Sequence, residues 1–138
     1  MTMRLNNRGR YALSAIIDLV LHVDEVPVSL KNISERQLIS SSYLEQIFRR
    51  LRESGLVTSR LGAHGGYAMG KGASEITVSD VLRAVDEQLT TKGCVGDKPC
   101  RGDVRCNCHL LWEKVDNHFE QMLERVTLQD IVDNNIDI

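Results

Sequence analysis

"SSYLEQIFRRLRES", Ser41 to Ser54, is the stretch on which the fold turns. Leu44, Ile47, Phe48 and Leu51 recur at the spacing that stacks side chains along one face of an α-helix. Ser42, Glu45, Gln46, Arg49 and Arg50 fall on the remaining surface. Ser42 and Glu45 stand three apart, the interval of a capping box, which predicts a helix start there; Gly55 ends the helix. The polar side carries hydroxyl, amide and guanidinium groups. Arginine and glutamine make bidentate contacts to guanine and adenine edges, and serine reaches bases or phosphates. An ordinary core helix with a solvated polar face has the same pattern, so the neighbouring segments must decide.

Upstream, Ala12, Ala15, Ile16, Leu19 and Val20 repeat at helical spacing between Asn6 and His22, with Arg8, Ser14, Asp18 and His22 expected on other faces. Pro27 in "DEVPV" interrupts this first helix. Ser29 is placed to cap a short second helix in which Leu30 and Ile33 share a side, and "QLIS" makes a tight turn into Ser41–Ser54. Two short helices joined by a small turn, the second presenting Ser, Gln and Arg, form a helix-turn-helix whose second member enters a DNA major groove. Downstream, "LVTSRLGAHGGYAMG" alternates, bends through glycines and returns, as a hairpin does. Gly62, Gly65 and Gly66 permit its tight tip. A hairpin directly after a recognition helix is a wing, and Arg60 and His64 stand where they reach phosphates or a minor groove.

Charge agrees. Residues 1–72 hold ten Lys or Arg against six Asp or Glu, a surplus of four positive charges, whereas residues 73–138 hold seven against thirteen. The basic part is where an anionic partner lands. The expected division is therefore a DNA-binding domain over 1–72 and a sensing and pairing region over 73–138. The chain has 138 residues, of which 42% are hydrophobic. Its most apolar early run, "ALSAIIDLVL", contains Asp18 and falls short of the roughly 20 residues that a bilayer demands. With no cleavage site after it, neither a signal peptide nor a membrane partner is expected, and the chain is assigned to the cytoplasm. No catalytic residues are assigned, and an enzyme is not expected.

In the acidic part, "ITVSDVLRAVDE" predicts a helix with Ser79 as its cap and Val81, Leu82 and Val85 inward. Trp112, Val115, Phe119, Met122 and Val126 then step by three and four, a heptad seam widened by Leu111 and Leu123. That seam suits a homodimer, since helix-turn-helix proteins commonly read two-fold sites as pairs. "TLQDIVDN" closes the chain with a short helix. Overall the fold class is mainly α, a winged helix-turn-helix with a long dimerisation helix and a cysteine-rich loop.

That loop, "KGCVGDKPCRGDVRCNCHLLW", holds all four cysteines and one of the four histidines within Cys94–His109. A reducing cytosol argues against disulfides and for metal or redox chemistry. Cys94, Cys100 and Cys106 lack the tight pair usual in zinc sites, although Cys106, Cys108 and His109 are close enough to keep zinc open. A polynuclear iron-sulfur cluster suits them better. Gly93, Gly96 and Gly102 let the backbone wrap, Pro99 stiffens the middle, and Lys98, Arg101 and Arg105 offset thiolate charge. Cys108 and His109 compete as fourth ligand. Inert burial and a disulfide switch are the remaining alternatives.

"MRLNNRGRYAL", "ISERQLISSSYLEQIFRRLRESGLV", "GGY" and C-x5-C-x5-C-x2-H followed by Leu and Trp occur in the order seen in the iron-sulfur cluster regulator family, the IscR-type winged-helix repressors, which the chain resembles from Met3 to about Asn134. The resemblance implies a homodimer holding a [2Fe-2S] cluster through Cys94, Cys100, Cys106 and His109, and repressing genes of cluster assembly when loaded. It further implies that the clusterless form binds a second operator class. Glu45 matches the residue that helps choose between classes, and Ser42 and Gln46 match base contacts. Arg8, Tyr11, Ser40, Tyr43, Arg49, Arg50, Arg60 and His64 complete the expected contacts to double-stranded DNA, and the cluster-assembly machinery is a further expected partner. Two departures stand out. Leu61 occupies the place of the family's wing arginine, with Arg60 one residue earlier, where strand alternation is expected to turn it to the other face. Cys108 stands beside the ligand histidine and offers an all-cysteine alternative. The nearest rival within the superfamily is a nitric oxide- or iron-responsive [4Fe-4S] repressor. From another class, the rival is a small electron-transfer or thiol-redox protein.

Overall fold

The computed structural model describes residues 7–25, 27–62, 65–85 and 107–137. Within them the chain is mainly helical with one two-stranded sheet. The order is α1 (Asn7–Leu21), α2 (Leu30–Gln37), α3 (Ser41–Glu53), β1 (Val57–Arg60), β2 (Gly66–Met69), α4 (Val78–Ala84), α5 (His109–Glu124) and α6 (Leu128–Val132), with single 3₁₀ turns at Val23–Glu25 and Ala73–Glu75. This is the expected winged helix-turn-helix with a long second-half helix.

Helical periodicity becomes core burial as anticipated. Ala12, Ala15, Ile16 and Leu19 of α1 meet Ile33 of α2 and Leu44, Ile47, Phe48 and Leu51 of α3 in one buried cluster. Ile76, Val81, Val85 and Leu128 join the same cluster, so apolar packing runs continuously across residue 72. Val126 buries with Val78 and Leu82 in a smaller cluster against Leu13, Leu123 and Ile131.

The polar exception is Asp18. Spacing placed it on an outer face of α1, but it is only 2% exposed. Its carboxylate accepts two hydrogen bonds from Arg36 Nε, at 3.2 and 3.0 Å, one from Arg36 Nη2 at 2.7 Å and one from Gln37 Nε2 at 2.9 Å. Buried carboxylates persist when so satisfied, and the partners that make it possible lie on a different helix.

The helix starts also differ in detail. α3 is capped by Ser40, whose hydroxyl accepts from the Tyr43 amide at 3.3 Å, not by a Ser42–Glu45 box. Three consecutive serines offer three possible caps, and only Ser40 has the extended backbone that capping needs. α4 begins at Thr77 rather than Ser79, with a full capping box to Asp80. Ser79 lies inside the helix, buried, and its hydroxyl donates to the Glu120 carbonyl of α5 at 3.4 Å. Ser29 caps α2 as expected, accepting from Asn32 N.

Two backbone bridges knit the elements. Val28 N donates to Tyr67 O at 2.9 Å and Tyr67 N to Val28 O at 2.8 Å, which ties β2 to the start of the helix-turn-helix. Gly66 makes that approach possible, since a Cβ there would stand 2.3 Å from the Val28 carbonyl oxygen. At the other end Thr77 pairs with Thr127, with Val78 N on Val126 O and Leu128 N on Ile76 O, both at 2.9 Å. Thr127 caps α6 with a second box to Asp130, so the starts of α4 and α6 are locked together.

Candidate nucleic-acid interface and the anchor of the cysteine loop

The turn between α2 and α3 is built from side-chain and backbone bonds acting together. Leu38 adopts a left-handed conformation at φ 56° and its amide donates to Ser34 O. Ile39 N donates to the same carbonyl at 3.3 Å, and the Ser34 hydroxyl donates to Ile39 O. α2 and α3 are thereby set at a fixed angle, and the Asp18–Arg36 pair holds α2 against α1.

On α3, Ser42, Glu45, Gln46 and Arg49 are exposed while Leu44, Ile47, Phe48 and Leu51 are buried. The structure thus gathers the four polar residues on one solvent-facing side. Tyr43 is half-buried, with Tyr11 of α1 packed edge-on at 5.6 Å between ring centroids and 88° between planes. Arg50 is half-buried rather than outward. Arg52 is exposed three residues beyond Arg49; it was not among the expected contacts, although the "RRLR" spacing already placed it on the Glu45–Arg49 side.

Arg8 has a second engagement. Its Nη1 donates to the Val85 carbonyl at the end of α4 at 3.1 Å, linking the first turn of α1 to the point where the chain departs toward the cysteines.

The wing pairs β1 with β2 antiparallel, Val57 to Met69, Thr58 to Ala68, Ser59 to Tyr67 and Arg60 to Gly66. Tyr67 packs on Phe48 of α3 with centroids 4.8 Å apart, so the wing is packed directly against the recognition helix. Thr58, Ser59 and Arg60 are all exposed, so burial does not alternate along this strand and Arg60 stands in solvent whichever face it takes. His64 lies outside the described residues.

Cys94, Cys100 and Cys106 also lie outside the described residues. His109 is the first residue of α5 and is buried, with Nε2 3.8 Å from Glu113 Oε2. Cys108 precedes it, exposed, with no side-chain capping bond. Along α5, Trp112, Val115, Phe119 and Met122 are half-buried and join neither apolar cluster, whereas Val126 packs inside the chain. Leu110 and Leu111 are exposed. Among the described residues no helix is long and apolar enough to cross a membrane.

The likeness to known proteins runs over most of the chain. HTH-type transcriptional regulators IscR of Photorhabdus laumondii and Serratia proteamaculans are 48% and 49% identical over 132 residues, covering 96% of this chain and 80% of theirs. The solved structure of T. potens IscR superposes with a TM-score of 0.75 at 35% identity, covering 95% of this chain and 87% of that one. The global cysteine regulator CymR of B. subtilis superposes at 0.79 with 30% identity, covering 96% and 98%. Residues 5–134 match the Rrf2 family, described as iron-dependent transcriptional regulators. With an exposed Ser-Glu-Gln-Arg helix face and a wing fixed beside it, this chain belongs to the Rrf2 family and is a DNA-binding regulator of transcription, not an enzyme.

Proposed function

We propose that the chain is a homodimeric cytoplasmic repressor of iron-sulfur cluster assembly genes, and that it senses cluster supply through a labile [2Fe-2S] cluster held by Cys94, Cys100, Cys106 and His109. The observation that carries this reading is the concentration of three evenly spaced cysteines and one histidine in sixteen positions of an otherwise cysteine-free chain but for Cys108. Likeness over 96% of the chain to regulators named IscR supports it. The donor set fits the group, because thiolates are the ligands such clusters prefer and an imidazole lowers the site's negative charge. His109 suits the fourth position since the first turn of α5 fixes its backbone, with Cys108 beside it as the alternative.

When bound, the cluster supplies a centre that is lost or oxidised under demand. The chain's own part is transmission. Arg8 joins the end of α4 to α1, and the Ser79 hydroxyl joins α4 to α5, so the elements on either side of the cysteine segment are linked to the DNA-facing half. Residues 1–72 grip double-stranded DNA and 73–138 sense and pair, on a shared core. Trp112, Val115, Phe119 and Met122 form the dimer contact, with Val126 anchoring its end to the body. Ser42, Glu45, Gln46 and Arg49 read base edges, and Ser40, Arg50, Arg52 and Arg60 position the backbone of a two-fold operator. Cluster-assembly proteins load the site.

Anaerobic purification followed by iron and acid-labile sulfide analysis and a visible spectrum tests this. Two irons and two sulfides per chain are expected, lost in Cys100→Ala together with a change in operator preference. Four irons per chain would favour the [4Fe-4S] reading. Absence of iron and sulfide, with failed reconstitution, would refute the cluster altogether.

A further inference from the structure

His109 opens α5 and is 6% exposed, while Glu113, one turn on, has a side chain 40% exposed. Side chains on an α-helix lean toward its N-terminus, so a residue four positions on reaches back over the first turn. That brings the Glu113 carboxylate to the imidazole, with Oε2 3.8 Å from Nε2. The separation is within ion-pair reach and longer than an N–H···O hydrogen bond by about 1 Å, which a small rotation of a partly exposed side chain closes. Asp116, the buried carboxylate of α5, stands seven residues beyond His109, about 10 Å along the axis, too far to share the ring. Glu113 is thus the carboxylate of α5 that the imidazole meets.

We propose that Glu113 is a positioning residue for the cluster: its carboxylate accepts the Nε2–H of His109, and this presents Nδ1 to iron. The inference rests on the assignment of His109 as fourth ligand. A neutral imidazole carries one N–H and one lone pair, so the nitrogen that donates to a carboxylate leaves the other to bind metal. Histidines that ligate metals commonly donate their remaining N–H to a carboxylate, which fixes the ring's orientation and makes the metal-bound nitrogen more basic. The burial of His109 restricts where its ring can turn, and Glu113 selects the tautomer within that restriction. A carboxylate beside the site also adds negative charge, which disfavours taking up an electron and so lowers the cluster's reduction potential. An ion pair at four-residue spacing on a partly exposed helix face adds little to stability, so a merely structural pair would leave the properties of the cluster untouched.

The experiment compares full chains reconstituted anaerobically with iron and sulfide: wild type, Glu113→Ala, Glu113→Gln and His109→Ala. Loss of visible absorbance to an iron chelator should be about 10-fold faster in Glu113→Ala, and its reduction potential should rise because a negative charge is gone. Glu113→Gln keeps an oxygen acceptor without the charge, so it should lose iron within about 2-fold of the wild-type rate yet share the raised potential. Pulsed EPR of the dithionite-reduced cluster, with histidine isotopically labelled at one ring nitrogen at a time, should place the strong coupling at Nδ1. Clusterless Glu113→Ala and Glu113→Gln should melt with wild type; faster cluster loss accompanied by a lower melting temperature would make the glutamate structural and overturn the proposal. So would a wild-type loss rate and potential in Glu113→Ala, a Glu113→Gln variant as labile as Glu113→Ala, or strong coupling at Nε2. His109→Ala should change the spectrum and the potential; if it changes neither, the fault lies one step back, in the ligand assignment, and the proposal falls with it.

Discussion

The carboxylate of Asp18 and the guanidinium of Arg36 meet side by side, Nη2 to Oδ1 at 2.7 Å and Nε to Oδ2 at 3.0 Å, across the junction of α1 and α2. This fork-to-fork pair sets where α2, and through the turn α3, stands against the rest of the core. Burial alone would push the Asp18 carboxyl up, but hydrogen bonds from Arg36 and Gln37 and the charges of Arg36 and His22 outweigh it and hold it below the usual carboxylate range. The pair's contribution to stability is therefore full above the carboxylate's unfolded value and is lost as pH falls through the lower folded value. Asp18→Asn should cost about 2 to 3 kcal/mol at neutral pH. Urea melts from pH 7 downward should show wild type losing this advantage in acid and the variant following a flatter curve; parallel curves would refute the assignment.

Gly66 and the Val28 carbonyl define a second expectation. Because a Cβ at 66 would collide with backbone rather than with a movable side chain, Gly66→Ala should break the bridge that docks the wing. A loss of about 2 kcal/mol is expected, with faster amide exchange at Val28 and Tyr67. Wild-type exchange at both amides would show that the bridge absorbs a methyl group.

Leu38 holds φ at 56° while 90% exposed, so its side chain gains little packing in return for a conformation that disfavours any Cβ. Leu38→Gly should stabilise the protein by about 1 kcal/mol, and Leu38→Ala should not, since alanine keeps the same clash. Thermal melts of the two variants distinguish relief of backbone strain from removal of an exposed leucine.

Gln46 and Arg49 face solvent one turn apart on α3 yet should behave differently. Gln46→Ala should cost about 1 to 3 kcal/mol on a selected duplex and relax its sequence preference. Arg49→Ala should weaken binding to all duplexes and lower the salt slope by about one. Titrations on selected and scrambled duplexes at several salt concentrations would expose an exchange of these roles.

The order of helices and the wing were legible in the sequence because they are written in local periodicity: Leu44, Ile47, Phe48 and Leu51 mark a face whatever they pack against. Local signals failed where the deciding partner was remote. Asp18 reads as surface until Arg36 and Gln37, eighteen and nineteen residues on, are brought to it. Ser79 reads as a cap until Thr77 is fixed by its pairing with Thr127, fifty residues away. Ser42 reads as a cap because it has the right interval to Glu45, yet backbone angles choose Ser40. Of the candidate site, the outward face of α3 was legible from spacing. The second engagement of Arg8, with a carbonyl of α4, was not, since no pattern in a sequence marks a main-chain acceptor.

The pairing of Thr77 with Thr127 has a mechanical consequence. The starts of α4 and α6 are held side by side there, each by its own threonine-aspartate knot. Lengthening or shortening the chain between Val85 and Cys108 should therefore leave the part that touches DNA threaded as before, because added length in a closed contour costs only slowly rising entropy. Severing the chain between Val85 and Cys108 should likewise leave two pieces that stay together, since the hydrogen bonds between these two starts lie outside the cut.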